Sequence, residues 1–123
     1  MKTYQVDTMK SLNKALRKKM CFVMLNVPQK KAYMRILGID PGFATIGFAI
    51  LEKNGRQKKL IEAGVIRTHK DLSFPERLKE IHTDLSALLA EYKPQTCAIE
   101  QIFFSKNVTT GINVAHARGV ILL

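Results

Sequence analysis

One short stretch constrains the fold more than any other. Ile36-Leu37-Gly38-Ile39 is an apolar run that stops abruptly at Asp40, and Pro41-Gly42 turns the chain before a second apolar segment opens at Thr45. Pro41 has no N–H to give a sheet ladder, and Gly42 accepts the backbone of a tight turn. The reading is a buried strand with one carboxylate fixed where the backbone leaves the sheet. Taken alone, Asp40 is either a strand-end ligand for a metal or phosphate site, or the acid of an ordinary Asp-Pro-Gly turn.

The pattern continues regularly on both sides of that turn. Residues 34–40 and 45–52 pair around it, Asn54-Gly55 is a hairpin signal, and residues 58–67 supply a third strand, so an antiparallel meander is expected. Ser73 and Glu76 have the spacing of a capping box. Leu78, Ile81, Leu85, Leu88, Leu89 and Tyr92 then recur at helical spacing until Pro94. His82 flanks that stripe as a boundary residue. Thr96-Cys97-Ala98-Ile99 is a short buried strand that ends at a second acid, Glu100. A crossover of this length returns the chain parallel to its neighbour. After the segment 102–107, Asn107 can cap a helix from about Val108, whose Ala115, Ala117 and Gly119 allow close approach of another backbone.

Charge and cysteine usage narrow the classes. The formal charge is +10, but residues 1–33 hold eight Lys and Arg against Asp7 alone, which leaves +3 for residues 34–123. The regular part is thus mildly basic, which suits a phosphate-rich partner without requiring one. Residues 1–33 read as a basic leader upstream of a natural first residue at Met34, disordered or loosely helical; a basic arm gripping DNA is the competing reading. Two cysteines, Cys21 and Cys97, are too few for a disulfide framework and fit a reducing, cytoplasmic setting. No apolar run approaches the roughly 20 residues that span a bilayer.

Two strands that each end in an acid matter together. If the strand of Glu100 lies parallel to and beside that of Asp40, both carboxylates emerge at one sheet edge, where sites form in open α/β sheets. Paired carboxylates suit oxygen-ligated Mg²⁺, with Mn²⁺ as a substitute, and such ions promote phosphodiester cleavage.

At this point the chain resembles a known family. Gly38-Ile39-Asp40-Pro41-Gly42, Ala98-Ile99-Glu100-Gln101-Ile102-Phe103, Lys106-Asn107 and Ala117-Arg118-Gly119-Val120 match the RuvC family of bacterial Holliday-junction resolvases in order and approximate spacing. Ile66-Arg67-Thr68 and Pro75-Glu76-Arg77-Leu78 also fit its pattern. The resemblance implies an α/β, ribonuclease H-like fold: a mixed sheet with three antiparallel strands and a fourth parallel strand plus flanking helices, truncated at the C-terminus. It implies a homodimeric, Mg²⁺-dependent endonuclease that resolves four-way DNA junctions and acts with the RuvA and RuvB branch-migration proteins. Asp40 and Glu100 match catalytic metal ligands, Phe103 matches a loop aromatic that stacks on junction bases, and Lys106 and Arg118 match phosphate contacts. The family's two further acids lie on a C-terminal helix, and no residue of this chain aligns with them. The expectation is an incomplete RuvC domain over residues 34–123, with catalysis by the isolated chain lowered by orders of magnitude or lost.

Two other readings compete. Asp40, Gly42 and Thr45 also resemble the phosphate loop of actin-like ATPases, for which nucleotide binding is the discriminator. A non-catalytic junction-binding or dimerising fragment is the other, and it predicts that Asp40→Asn leaves junction affinity unchanged or raised.

Overall fold

A computed structural model describes residues 20–25, 32–101 and 108–123. The elements in chain order are β1 (Met20–Met24), β2 (Met34–Asp40), β3 (Thr45–Asn54), β4 (Gln57–Arg67), α1 (Phe74–Tyr92), β5 (Thr96–Glu100) and α2 (Val108–Leu122). The strands form a single sheet in the order β1-β5-β2-β3-β4. β2, β3 and β4 make the expected antiparallel meander, and β5 joins β2 in parallel. The four strands and two helices anticipated from the pattern are therefore present, with boundaries within two residues of the expected ones.

The meander is made by local chemistry. Asn54 pairs with Gln57, so the loop is Gly55-Arg56, and Gly55 carries the positive φ of 55° that a two-residue hairpin loop needs. Ile61 is an extra residue on β4, because the register passes from Ile50–Glu62 to Leu51–Leu60. Such a bulge sharpens the local twist and re-aims the hairpin end.

Helix α1 begins as a reciprocal cap. The Ser73 N–H donates to Glu76 Oε2 at 2.8 Å, the Ser73 hydroxyl donates to the same oxygen, and the Arg77 N–H donates to the Ser73 carbonyl at 3.0 Å. The Ser73 hydroxyl and then its N–H hold the Glu76 carboxyl below its usual range. A carboxyl lowered by folding contributes stability that is complete above the unfolded-state value and lost as pH falls through the folded one. Thermal melts are accordingly expected to show a loss of stability on acidification that is smaller in Glu76→Gln than in the parent. The helix closes at Lys93, whose φ is 48° and whose N–H donates to the Leu89 carbonyl at 3.0 Å, and Pro94 prevents continuation.

One core lies between α1 and the sheet. Leu37 and Ile39 of β2, Ile46 and Ile50 of β3, Ile66 of β4, and Cys97 and Ile99 of β5 meet Ile81, Leu85 and Leu88 of α1. Leu78, Leu89 and Tyr92 pack at its margin, so the whole apolar stripe of the helix is used. Burial, with a smaller contribution from Cys21, pushes the Cys97 thiol up to about 11, which keeps it neutral and unreactive near pH 7.

Strand β1 departs from the expectation of a disordered or loosely helical leader. Residues 20–24 pair antiparallel with β5, from Met20 opposite Glu100 to Met24 opposite Thr96. The physical reason is the outer edge of β5, which would otherwise present a row of unpaired backbone groups beside a buried strand. The Thr96 hydroxyl donates to the Val23 carbonyl at 3.1 Å, and the Leu25 N–H donates to the Gln95 carbonyl at 3.0 Å. Gln95 extends the link to β2, its N–H donating to the Arg35 carbonyl at 2.9 Å and its side-chain oxygen accepting from the Arg35 N–H.

Candidate metal centre

β2 and β5 run in the same direction with Ile39 opposite Ile99. Asp40 and Glu100 are each the next residue and the last of their strands. Neighbouring strands lie about 4.8 Å apart, so the two acids leave the sheet side by side. Both are exposed, whereas Ile39 and Ile99 beneath them are buried. Successive side chains alternate between sheet faces, and Leu37, Ile39, Cys97 and Ile99 point at α1. Asp40 and Glu100 therefore share the opposite face. Directly across from Asp40 stands Gly47, where an added Cβ would be 3.5 Å from that of Asp40.

The turn beyond Asp40 is held from several sides. A Cβ on Gly42 would collide with the backbone carbonyl of Thr45, so this close approach requires glycine. The Thr68 hydroxyl donates to the Phe43 carbonyl at 2.9 Å, and the Thr68 N–H donates to the Ala44 carbonyl at 3.1 Å. Arg77 of α1 donates its Nε–H to the Thr68 hydroxyl at 2.9 Å, while its guanidinium lies 4.1 Å above the centre of the Phe43 ring. Phe43 also stacks on Phe74 at 5.0 Å, and His116 of α2 meets Phe74 edge-on at 5.3 Å. Phe43, Thr68 and Arg77 thus clamp the acid-bearing turn to the start of α1. Sequence reading did not assign them this role, because the signal is tertiary. The Arg-Thr and Pro-Glu-Arg motifs marked their neighbourhood without saying what they touch.

The remaining anticipated residues are distributed differently. Phe103 and Lys106 lie outside the described residues. Arg118 is half-buried on α2 beside the fully buried Ala117, and its Nε–H has no hydrogen-bond partner among the described residues. No group of three or more His, Cys, Asp or Glu that could hold a metal ion occurs among the described residues, so the carboxylate pair is the donor set on view. Two adjacent carboxylates fit part of the oxygen shell of a hard divalent cation.

An antiparallel meander joined by a helix to a parallel strand, with an acid at each of two adjoining strand ends, defines a domain of the ribonuclease H-like class. Residues 36–123 match the family model described as Crossover junction endodeoxyribonuclease RuvC, and the chain belongs to the RuvC family. Over 90 residues it is 52% identical to the RuvC of Thermosipho melanesiensis, covering 73% of this chain and 57% of that protein. The RuvC of Halothermothrix orenii is 49% identical over 90 residues, covering 73% of this chain and 54% of the relative. Among solved structures, Thermus thermophilus RuvC in complex with a Holliday junction substrate superposes with a TM-score of 0.67 at 28% identity, covering 72% of this chain and 55% of that one. The chain thus spans about half the length of the relatives it matches, and β1 precedes the matched segment.

Proposed function

We propose that the protein acts on four-way DNA junctions as a metal-dependent endonuclease, with Asp40 and Glu100 as two of its cation ligands. The observation that carries this reading is the in-register parallel pairing of β2 with β5, which sets both acids at one sheet edge in a RuvC-family domain. When bound there, Mg²⁺ or Mn²⁺ supplies charge stabilisation for the phosphoryl oxygens of the scissile group. The chain's own part is to hold the carboxylates rigidly, through β2, β5 and the Phe43–Thr68–Arg77 clamp. Phe103 stacks on junction bases and Lys106 and Arg118 contact phosphate, as the family resemblance implies. The protein works with RuvA and RuvB in the cytoplasm; among the described residues no helix is long and apolar enough to cross a membrane. The match of residues 36–123 to RuvC gives the actin-like nucleotide-binding alternative no support.

The working unit is a homodimer built on α2. Val108, Ile112, Ala115, Gly119 and Leu122 recur on one side of that helix and are all exposed, and Gly119 has open space around it. An apolar stripe at this spacing, with small residues in its middle, suits the helix of a second copy. Ile112→Asp is expected to convert a dimer to monomer in sedimentation velocity with little change in melting temperature.

The functional reading is tested by affinity in Ca²⁺, used in place of Mg²⁺ to slow cleavage. A four-way junction is expected to bind at least tenfold more tightly than linear duplex of the same sequence. Equal affinity for the two contradicts the reading.

A further inference from the structure

We infer that strand β1 is a positioning element of the metal site, holding the end of β5 and thereby setting Glu100 beside Asp40. The inference rests on the proposed role of Glu100 as a cation ligand. β1 precedes the family-matched segment 36–123, so the residues that do this holding lie outside that segment.

The sheet does not hold the two acids alike. Asp40 stands opposite Gly47 of β3, and its turn is fastened through Thr68 and Arg77. The pairing of β5 with β2 runs from Thr96 opposite Ile36 to Ile99 opposite Ile39, and so stops one residue short of Glu100. The pairing of β5 with β1 runs the full strand and places Met20 opposite Glu100. Strand ends open most readily, and a short parallel ladder is a weak hold on the last residue of a five-residue strand. A metal ligand has to stay within about 0.5 Å of its working position. β1 makes β5 an interior strand up to and including the acid.

The register of β1 is fixed at its other end. The Leu25 N–H donates to the Gln95 carbonyl at 3.0 Å, the Thr96 hydroxyl donates to the Val23 carbonyl at 3.1 Å, and Val23 and Leu25 pack at the margin of the core. A slip of one residue would carry Val23 to the opposite face of the sheet. Hydrogen-bonded rungs of an antiparallel ladder recur at every second pair. Counted from Leu25–Gln95, the next rungs are Val23–Cys97 and Cys21–Ile99. The last rung therefore closes on the residue before Glu100. Met20–Glu100 is then a non-bonded pair, the kind in which two antiparallel strands come closest, at about 4.5 Å between Cα atoms. The Cys21 backbone is thus what ties down the end of β5.

The test uses the full chain and two readouts: the Mn²⁺ dissociation constant, from the electron paramagnetic resonance of the free ion, and hydrogen exchange of the Ile99 amide. Cys21→Pro removes the N–H of the last rung. It is expected to bind Mn²⁺ about tenfold more weakly and to speed Ile99 exchange at least about tenfold, with exchange at Leu37 and Ile50 unchanged. Cys21→Ser keeps the N–H and is expected to match the parent in both readouts, which assigns the effect to the backbone and not to the thiol. Thr96→Val removes the hydroxyl bond to Val23 without introducing a proline, and should shift both readouts in the same direction by about two- to threefold. Parent-like Mn²⁺ affinity in Cys21→Pro, or an equal loss in Cys21→Ser and Cys21→Pro, overturns the inference. If Cys21→Pro also opens Leu37 and Ile50 to exchange, Thr96→Val decides, and parent values for both of its readouts overturn the inference. A parent that binds no Mn²⁺ at the strand ends defeats the functional reading instead, and Ile99 exchange then still decides whether β1 holds the end of β5.

Discussion

Asp40→Asn is expected to reduce Mg²⁺-dependent junction nicking by about 10²-fold or more while leaving the fold intact. A neutral amide at the end of β2 occupies the space of the carboxylate but cannot offset a divalent cation, so the neighbouring Glu100 carboxylate must hold the ion with half the anionic charge. Charge stabilisation from such an ion is worth several kcal/mol in the transition state, and about 1.4 kcal/mol is tenfold in rate. Asp40 is exposed, so the substitution should change folding stability by no more than about 0.5 kcal/mol. In divalent-free buffer the variant should bind junctions as well as the parent or better, because one negative charge beside the phosphates has gone. Single-turnover nicking assays paired with binding curves check both halves of this expectation.

Leu37→Ala should have the largest effect on stability. Leu37 is 1% exposed and stands at the centre of the sheet, with Ile50 opposite it on β3 and Cys97 on β5. Removing a buried leucine side chain costs about 2–5 kcal/mol, the spread reflecting how far the site can collapse. Domains of this size are stable by only about 5–15 kcal/mol in total. A fall in melting temperature of about 10 °C or more is therefore expected. Leu60→Ala is the control: Leu60 is 50% exposed on edge strand β4, and its loss should cost no more than about 0.5 kcal/mol. Leu37 also bears on the site, since the strand it anchors carries Asp40 three residues later.

The parts of this fold that were legible in the sequence are those with a local signal. Asp40-Pro41-Gly42 and Asn54-Gly55 announce the turns of the meander, Ser73 with Glu76 opens α1, and Pro94 closes it. Each depends on residues within a few positions of one another. β1 had no such signal. Its five residues follow a basic run, and their partner β5 lies more than 70 residues downstream, so the pairing depends on an exposed edge that exists only after the sheet has formed. The acid pair was readable because each apolar strand ends in a carboxylate and the helix between them implies a parallel return. The clamp on the Asp40 turn was not, because Phe43, Thr68 and Arg77 meet only when α1 packs against the sheet.

If Asp40 and Glu100 together hold a divalent cation, Mn²⁺ titration of the isotope-labelled chain will locate it. Paramagnetic broadening of backbone amide signals should centre on residues 39, 40, 42 and 99–101, and should vanish there in both Asp40→Asn and Glu100→Gln. Broadening centred on other acids, such as Glu52 or Glu91, or broadening at the β2 and β5 ends that survives either substitution, would contradict it.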